Sequence, residues 1–571
     1  MEYPLLEFEK EIKRSVKELL GVEEVPLEIP SEERGDYALP CFIYASELKK
    51  APQEIAEDIA ENIDMEMGAA EQMGPYVNFK IDDELLVAKT LELAEDMRDE
   101  YGKMDDKNVK VTIEHTSANP NAPLHVGNAR NPIVGDTLNR IYKKMGYDVE
   151  AQYYVDDMGR QVAMTASGLD HLDEKKNVIL YGEDKKIEYD PSDIKTEADK
   201  IAKIYQTVSK FAGGSTKEDE VIVDDIQNLI NKVEEDPYYL RETSEMVMDI
   251  IKRSLKRLNV THDTYKSESE LVASGRVAEI LEDLEKTGAC GFEEGAQFIE
   301  IDDKRVYLKR SDGTSLYPGR DIAYHAWKAE RCAKQIDVLG EDHKLHAKSI
   351  VKALSLLGIE PSPDFVFHSF VTFEGEGMST RAGTSIPLDD FMDKAREKAK
   401  EEILKRRQEL SPEVVNEIAE KVGIGAVRFN IIKVQPEKPI DFKWNEALNF
   451  QGDSAPFVQY TYARAHSILD KYGDKDEAAD VSKLDEEGEI RLVKQMAKYP
   501  MILKLAADNN APHRLAKYSL ELAAEFNQFY RDHPVLKSEG KRAERVALVS
   551  AFSSVMNSVL NTLGLEAPEQ M

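Results

Sequence analysis

Apolar residues fall at two spacings along this chain, and the switch between them marks its parts. Val109-Lys-Val-Thr-Ile113 alternates apolar and polar types and is rich in β-branched residues, which predicts a strand. Ile133, Leu138, Ile141 and Met145 then lie at helical spacing, and Gly146 is placed to end that helix. Residues 149 to 155 predict a second strand. A strand, loop, helix and strand in this order opens a parallel sheet, whose first loop lies at the carboxyl edge, where ligands bind. The alternation returns over residues 305 to 372. There the pattern predicts a short strand at 305–308, a turn at Asp312-Gly-Thr314 and a helix from Asp321. A strand at 336–339, a helix at 341–357 and a last strand at 365–373 complete it.

The flanks read differently. Residues 8–20 and 52–63 are amphipathic helices by spacing, and Gly35-Asp-Tyr and Gly74-Pro-Tyr-Val-Asn-Phe lead into extended segments. Residues 1–105 are therefore a small α+β unit. Residues 170–250 are rich in Lys, Asp and Glu with helical patterns, which predicts a helical insertion with Gly213-Gly214 as a joint. From Pro387 onward the pattern is mostly helical, divided into a connecting region at 391–445 and a terminal domain at 446–571.

A length of 571 residues implies roughly two to four domains, and 42% hydrophobic residues suffice for their cores. No apolar run is long enough to cross a membrane, and the first twenty residues lack the apolar segment of a signal peptide. Cys41, Cys290 and Cys332 are too far apart in sequence to suggest a disulfide framework or a zinc site, which points to a reducing cytoplasm. The net charge of −34 is unfavourable for binding nucleic acid, but it is uneven. From Ala447 onward 15 basic residues face 18 acidic ones, so the last quarter repels phosphate least.

The loop after the first strand is Glu114-His-Thr-Ser-Ala-Asn-Pro-Asn-Ala-Pro-Leu-His-Val-Gly-Asn128. Pro-Leu-His125-Val-Gly127-Asn128 resembles the HIGH signature of class I aminoacyl-tRNA synthetases, and the longer string resembles the arginyl-tRNA synthetase form of it. Residues 374–386 resemble the KMSKS loop, in the Met-Ser-Thr-Arg-x-Gly form of arginyl enzymes. The first and second Lys of KMSKS are replaced by Gly377 and Thr380, leaving Arg381 as the one cation of Gly-Met-Ser-Thr-Arg. Tyr317-Pro-Gly-Arg-Asp321 resembles the family's Tyr-x-x-x-Asp, and the N-terminal and C-terminal segments resemble its additional and anticodon-binding domains. The resemblance implies a Rossmann-like parallel sheet over 106–390, an N-terminal α+β domain and a C-terminal α-helical anticodon-binding bundle. It also implies ligation of L-arginine to tRNA(Arg) through an arginyl-adenylate, ATP with Mg2+, a monomer, and activation that needs bound tRNA.

Phosphoryl chemistry of this kind needs positioning and charge neutralisation rather than a nucleophilic side chain. The candidate catalytic set is His125, Gly127, Asn128, Ser379, Thr380 and Arg381. His125 can donate to phosphate oxygens, Gly127 leaves room for the nucleoside to approach the backbone, and Asn128 can donate but not become a cation. Arg381, assisted by Ser379 and Thr380, is expected on the pyrophosphate side. Pro123, Leu124, Met378 and Asp342 complete the expected ATP site, and Asp342-His343-x-x-His346 is placed to line the adenine or arginine pocket. A substrate guanidinium calls for carboxylates in fork geometry. Glu114, Ser117, Asn119, Tyr317 and Asp321 are the candidate arginine site, with Asp321 the guanidinium partner and Tyr317 a wall. In the last domain Tyr460, Arg464, His513, Tyr530 and the terminal Met571 are the candidate tRNA contacts, rings and cations being platforms for unstacked bases.

Overall fold

The computed structural model describes residues 2–30, 34–181, 185–189, 194–212, 217–373, 386–473 and 477–571. Its centre is a parallel sheet of five strands: β1 (Lys110–Glu114), β2 (Asp148–Val155), β3 (Thr264–Ser267), β4 (Lys334–Gly340) and β5 (Pro363–His368). They stand in the order β5-β4-β1-β2-β3, and every neighbouring pair is parallel. The chain leaves β1 toward β2 on one side and returns on the other side through β4. That reversal makes the carboxyl ends of β1 and β4 a switch point, where such sheets open a crevice. Helix α1 (Arg130–Lys144) follows β1, helix α2 (Tyr317–Ala329) leads into β4, and helix α3 (Lys344–Leu357) joins β4 to β5.

Three expectations need correction. The strand Lys304–Lys309 does not join the central sheet but pairs antiparallel with Ala296–Ile301, which pairs in turn with Gly291–Glu293. Asp302 and Asp303 both take positive φ there, so a tight turn pairs the strand with its sequence neighbour. The last strand is broken. Ser369 donates its N–H to Pro436 O at 2.9 Å, and the buried Arg130 guanidinium donates to Ser369 O at 3.0 Å. Beyond that break Val371–Phe373 leaves the sheet and pairs with Ile440–Phe442. The insertion is not wholly helical either. It opens as a three-stranded antiparallel meander, Leu172–Asp173, Val178–Tyr181 and Lys185–Glu188, before helices Glu197–Ser209 and Lys217–Glu235. Its core is its own, built from residues such as Ile179, Val208, Ile222 and Ile226. The next helix, Arg241–Arg257, packs Val247, Ile251 and Leu255 into the main core, so the insertion ends earlier than its charge pattern suggests. Gly213 and Gly214 lie outside the described residues.

The N-terminal unit is the expected α+β fold, an antiparallel sheet (Tyr37–Pro40, Gly68–Met73, Tyr76–Ile81) with helices Pro4–Leu20, Pro52–Asn62 and Asp83–Met97. It docks on the C-terminal helices: Lys494 Nζ pairs with Asp36 at 2.6 Å, and Ser558 Oγ donates to Tyr101 O at 2.7 Å. Helices Ala455–Tyr472, Glu487–Ala497, Tyr499–Asp508, His513–Asp532 and Arg542–Thr562 make the terminal bundle. The three cysteines are free, and no helix among the described residues is long and apolar enough to cross a membrane.

Candidate active site

The register of the central sheet sets a polar row across its carboxyl half. Asp337 of β4 lies opposite Glu114 of β1, and Glu114 lies opposite Gln152 of β2. Two buried carboxylates side by side repel and lose hydration, so a counter-charge is required. Helix α2 supplies it. Asp321, His325 and Lys328 stand at i, i+4 and i+7, which is one helix face. Lys328 Nζ, with no exposed surface, reaches Asp337 Oδ1 at 2.6 Å and Glu114 Oε2 at 2.8 Å. Burial opposes its charge, but Asp337 and Glu114 outweigh burial and hold Lys328 protonated above the ordinary lysine value. Burial raises the Glu114 carboxyl, with Lys328 working against that rise.

The charges continue outward. His325 Nε2 meets Asp337 Oδ2 at 2.8 Å, and its Nδ1 lies 2.8 Å from Asp321 O and 3.1 Å from Asp321 Oδ1. Burial and Lys328 disfavour the imidazolium, yet Asp321 and Asp337 raise the His325 pKa to about 10. At Asp321, burial works against ionisation, but His325 and His346 hold the carboxyl far below its ordinary value. His346 Nε2 is in hydrogen-bond contact with Asp321 Oδ2, and its ring lies 5.2 Å from that of Tyr317. Glu114, Lys328, Asp337, His325, Asp321 and His346 thus run from the sheet interior to the surface. Tyr317, at the outer end, is 58% exposed, which leaves its ring free to meet a ligand. Glu114, His325 and Asp337 bring ligand atoms within 4.8 Å of one another, the spacing of a metal site. The Lys328 ammonium already bridges those two carboxylates.

The loop from Glu114 is tightly wound. Thr116 and Ser117 take positive φ, 73° and 38°, a strained conformation for residues with a Cβ. Ser117 Oγ donates to Glu114 Oε1 at 2.9 Å and accepts from Tyr154 N–H at 3.1 Å, so Ser117 joins Glu114 as expected of a shared site. Asn119 instead donates to Gln161 at 3.3 Å.

The signature turn is a short 3-10 helix, Val126–Asn128, ahead of α1. His125 Nδ1 is buried and has no partner among the described residues, and burial lowers the ring's pKa, which favours the neutral form. Gly127 serves the turn in a way the sequence did not indicate. A Cβ there would lie 2.8 Å from His125 Cε1, so the missing side chain makes room for the His125 ring. The Asn128 amide is also committed locally, its Oδ1 accepting from His125 N–H at 3.1 Å. Leu124 is buried and Pro123 half-buried. Met378, Ser379, Thr380 and Arg381 lie outside the described residues, but the chain just beyond them does not. Val126 N–H donates to Ile386 O at 3.0 Å, and Leu388 N–H donates to Leu124 O at 2.9 Å. Asp342 is exposed, beyond the end of β4.

In the terminal bundle, the Arg464 guanidinium lies 4.9 Å from the Tyr460 ring and 5.6 Å from the Tyr530 ring, so these three form one face. His513 does not join them. It opens the helix that Tyr530 nearly closes, about 25 Å away at 1.5 Å per residue. Met571 is buried and its carbonyl accepts from Arg407 at 2.9 Å, which makes it an internal anchor rather than a surface contact.

Comparison with known families decides what this arrangement belongs to. The model of the class I (R) tRNA synthetase catalytic domain matches residues 91–444. The arginyl-tRNA synthetase N-terminal domain matches 6–81, and the DALR anticodon-binding domain matches 458–571. The chain belongs to the arginyl-tRNA synthetase family. An arginine–tRNA ligase of Methanocella arvoryzae is 41% identical, over 93% of this chain and 92% of that one. One from Methanocaldococcus jannaschii is 37% identical over 99% of this chain and 100% of that one. Among solved structures, Thermus thermophilus arginyl-tRNA synthetase superposes with a TM-score of 0.86 at 27% identity, covering 99% of this chain and all of the other. Within an arginyl-tRNA synthetase fold, the α2 face that carries Asp321 meets β1 and β4 through Lys328, and the His125 turn follows β1.

Proposed function

We propose that this chain ligates L-arginine to tRNA(Arg) in two steps, working as a monomer in the cytoplasm. The arginine carboxylate attacks the α-phosphate of ATP, giving arginyl-adenylate and pyrophosphate. A ribose hydroxyl at the end of tRNA(Arg) then takes the arginyl group and releases AMP. The observation that carries this reading is the placement of Asp321 at the outer end of the buried charge run, one helix face away from Glu114.

A guanidinium is a forked, permanently charged donor, and an ionised carboxylate beside an open aromatic ring is its natural partner. Asp321 takes the guanidinium and Tyr317 covers it. Glu114 and Ser117 face the substrate amino and carboxylate groups, with Asn119 at the edge of that contact. Lys328, His325 and Asp337, which no motif indicated, fix Asp321 and Glu114 in place. His125 offers its unpartnered nitrogen to the phosphates of ATP, alongside Pro123, Leu124, Gly127 and Asn128. Met378, Ser379, Thr380 and Arg381 receive the leaving pyrophosphate with its Mg2+, and Asp342 faces the adenosine. Tyr460, Arg464 and Tyr530 stack on anticodon bases.

Charging of total tRNA with labelled arginine tests the proposal. Arginyl-tRNA should form, and periodate-treated tRNA, which has lost its terminal hydroxyls, should accept none. Tight tRNA binding without charging would identify a non-catalytic RNA-binding relative instead.

A further inference from the structure

The two donors on Asp321 are not equivalent. His325 is fixed at both ring nitrogens, to Asp337 on one side and Asp321 on the other, and is 2% exposed. His346 has one anchor only. Its Nε2 meets Asp321 Oδ2, while its buried Nδ1 has no partner among the described residues. It lies in the first turn of α3, between the exposed Tyr317 ring at 5.2 Å and the His343 ring at 6.4 Å. The carboxylate it contacts, Asp321 of α2, is the one that His325 also holds.

The charge run alternates in sign from Glu114 through Lys328, Asp337 and His325 to Asp321. A donor completes it, and the His346 imidazole and a substrate guanidinium suit the same place. We infer that His346 competes with the arginine side chain for Asp321, so that arginine binds against a resident donor. The inference rests on Asp321 being the guanidinium partner. Its physical basis is that a guanidinium entering at Oδ2 must break the His346 contact, and this loss subtracts from binding. A wall residue would have the opposite effect, since removing it would weaken binding.

The test is ATP–pyrophosphate exchange by the full chain with saturating tRNA, for the wild type, His346→Ala and His346→Gln. We expect His346→Ala to lower the arginine KM by about three- to tenfold, with the ATP KM unmoved. His346→Gln, which keeps a neutral donor, should lie between. An arginine KM that rises or stays unchanged in His346→Ala overturns the competition. Asp321→Asn separates this from failure of the underlying reading. If it raises the ATP and arginine KM values alike, Asp321 is not the guanidinium partner and the premise itself is wrong.

Discussion

The backbone N–H of Val126 donates to the carbonyl of Ile386 at 3.0 Å. These residues stand at the first signature turn and at the end of the second signature loop, so one hydrogen bond ties the two segments that the proposed reaction requires together. His125 and Pro387 also form an isolated antiparallel bridge. The cation that the loop contributes, Arg381, is five residues upstream of that tie. Replacing it with Ala should slow arginine activation by about 100-fold, the usual loss when one charge-stabilising donor is removed. Binding of tRNA should be unchanged. Pyrophosphate exchange and filter binding check the two halves, and an unaltered exchange rate would refute the role.

Lys328 carries the largest structural burden in the site. Its removal leaves Glu114 and Asp337 opposite one another in the register, both buried, with Asp337 keeping only His325 and Glu114 left without a counter-charge. Lys328→Met should therefore cost about 3–5 kcal/mol of stability. Urea unfolding of the intact chain measures it, and a loss under about 1 kcal/mol would show that the pair contributes little.

His325 gives the site a pH signature with a defined sign. Its pKa is raised in the folded chain to about 10, from about 6.5 in an unfolded one. A raised imidazole stabilises the fold fully below the unfolded value, and that contribution fades as pH climbs toward the folded value. The melting temperature should fall between about pH 7 and 10, and His325→Gln should flatten that fall. Equal slopes in the two proteins would mean that His325 is not charged.

Four of the five strands of the central sheet were legible from local pattern alone, and the edge strand Thr264–Ser267 was not. The strands at 110–114 and 148–155, and the helix between them, come from periodicity that needs no distant partner. The cationic partner of Glu114 was not legible, because Lys328 is 214 residues away in sequence. A faint signal existed: Asp337 and Gln152 are polar residues inside buried parallel strands, where near-continuous apolar runs are the rule. The meander in the insertion escaped because its strands have only two to four residues, too few to show a period. The packing of Gly127 and Met571 was not legible for another reason. Motif position names a residue, but only packing shows that one makes room for His125 and the other is buried.

The terminal bundle offers a separate check on the RNA partner. Arg464 lies against the Tyr460 and Tyr530 rings, a cation between two stacking surfaces. Arg464→Ala should raise the tRNA KM by about tenfold and leave the arginine KM alone. If the guanidinium meets a phosphate, the slope of log affinity against log salt should also drop by about 1. An unchanged tRNA KM would place recognition on another face of the bundle.

The most direct test of the whole account is ATP–pyrophosphate exchange with each amino acid in turn, with and without total tRNA. Exchange with arginine alone, appearing when tRNA is added, is the result expected of a crevice that gathers a triphosphate beside Asp321. Exchange driven by a different amino acid, or by none, would contradict it.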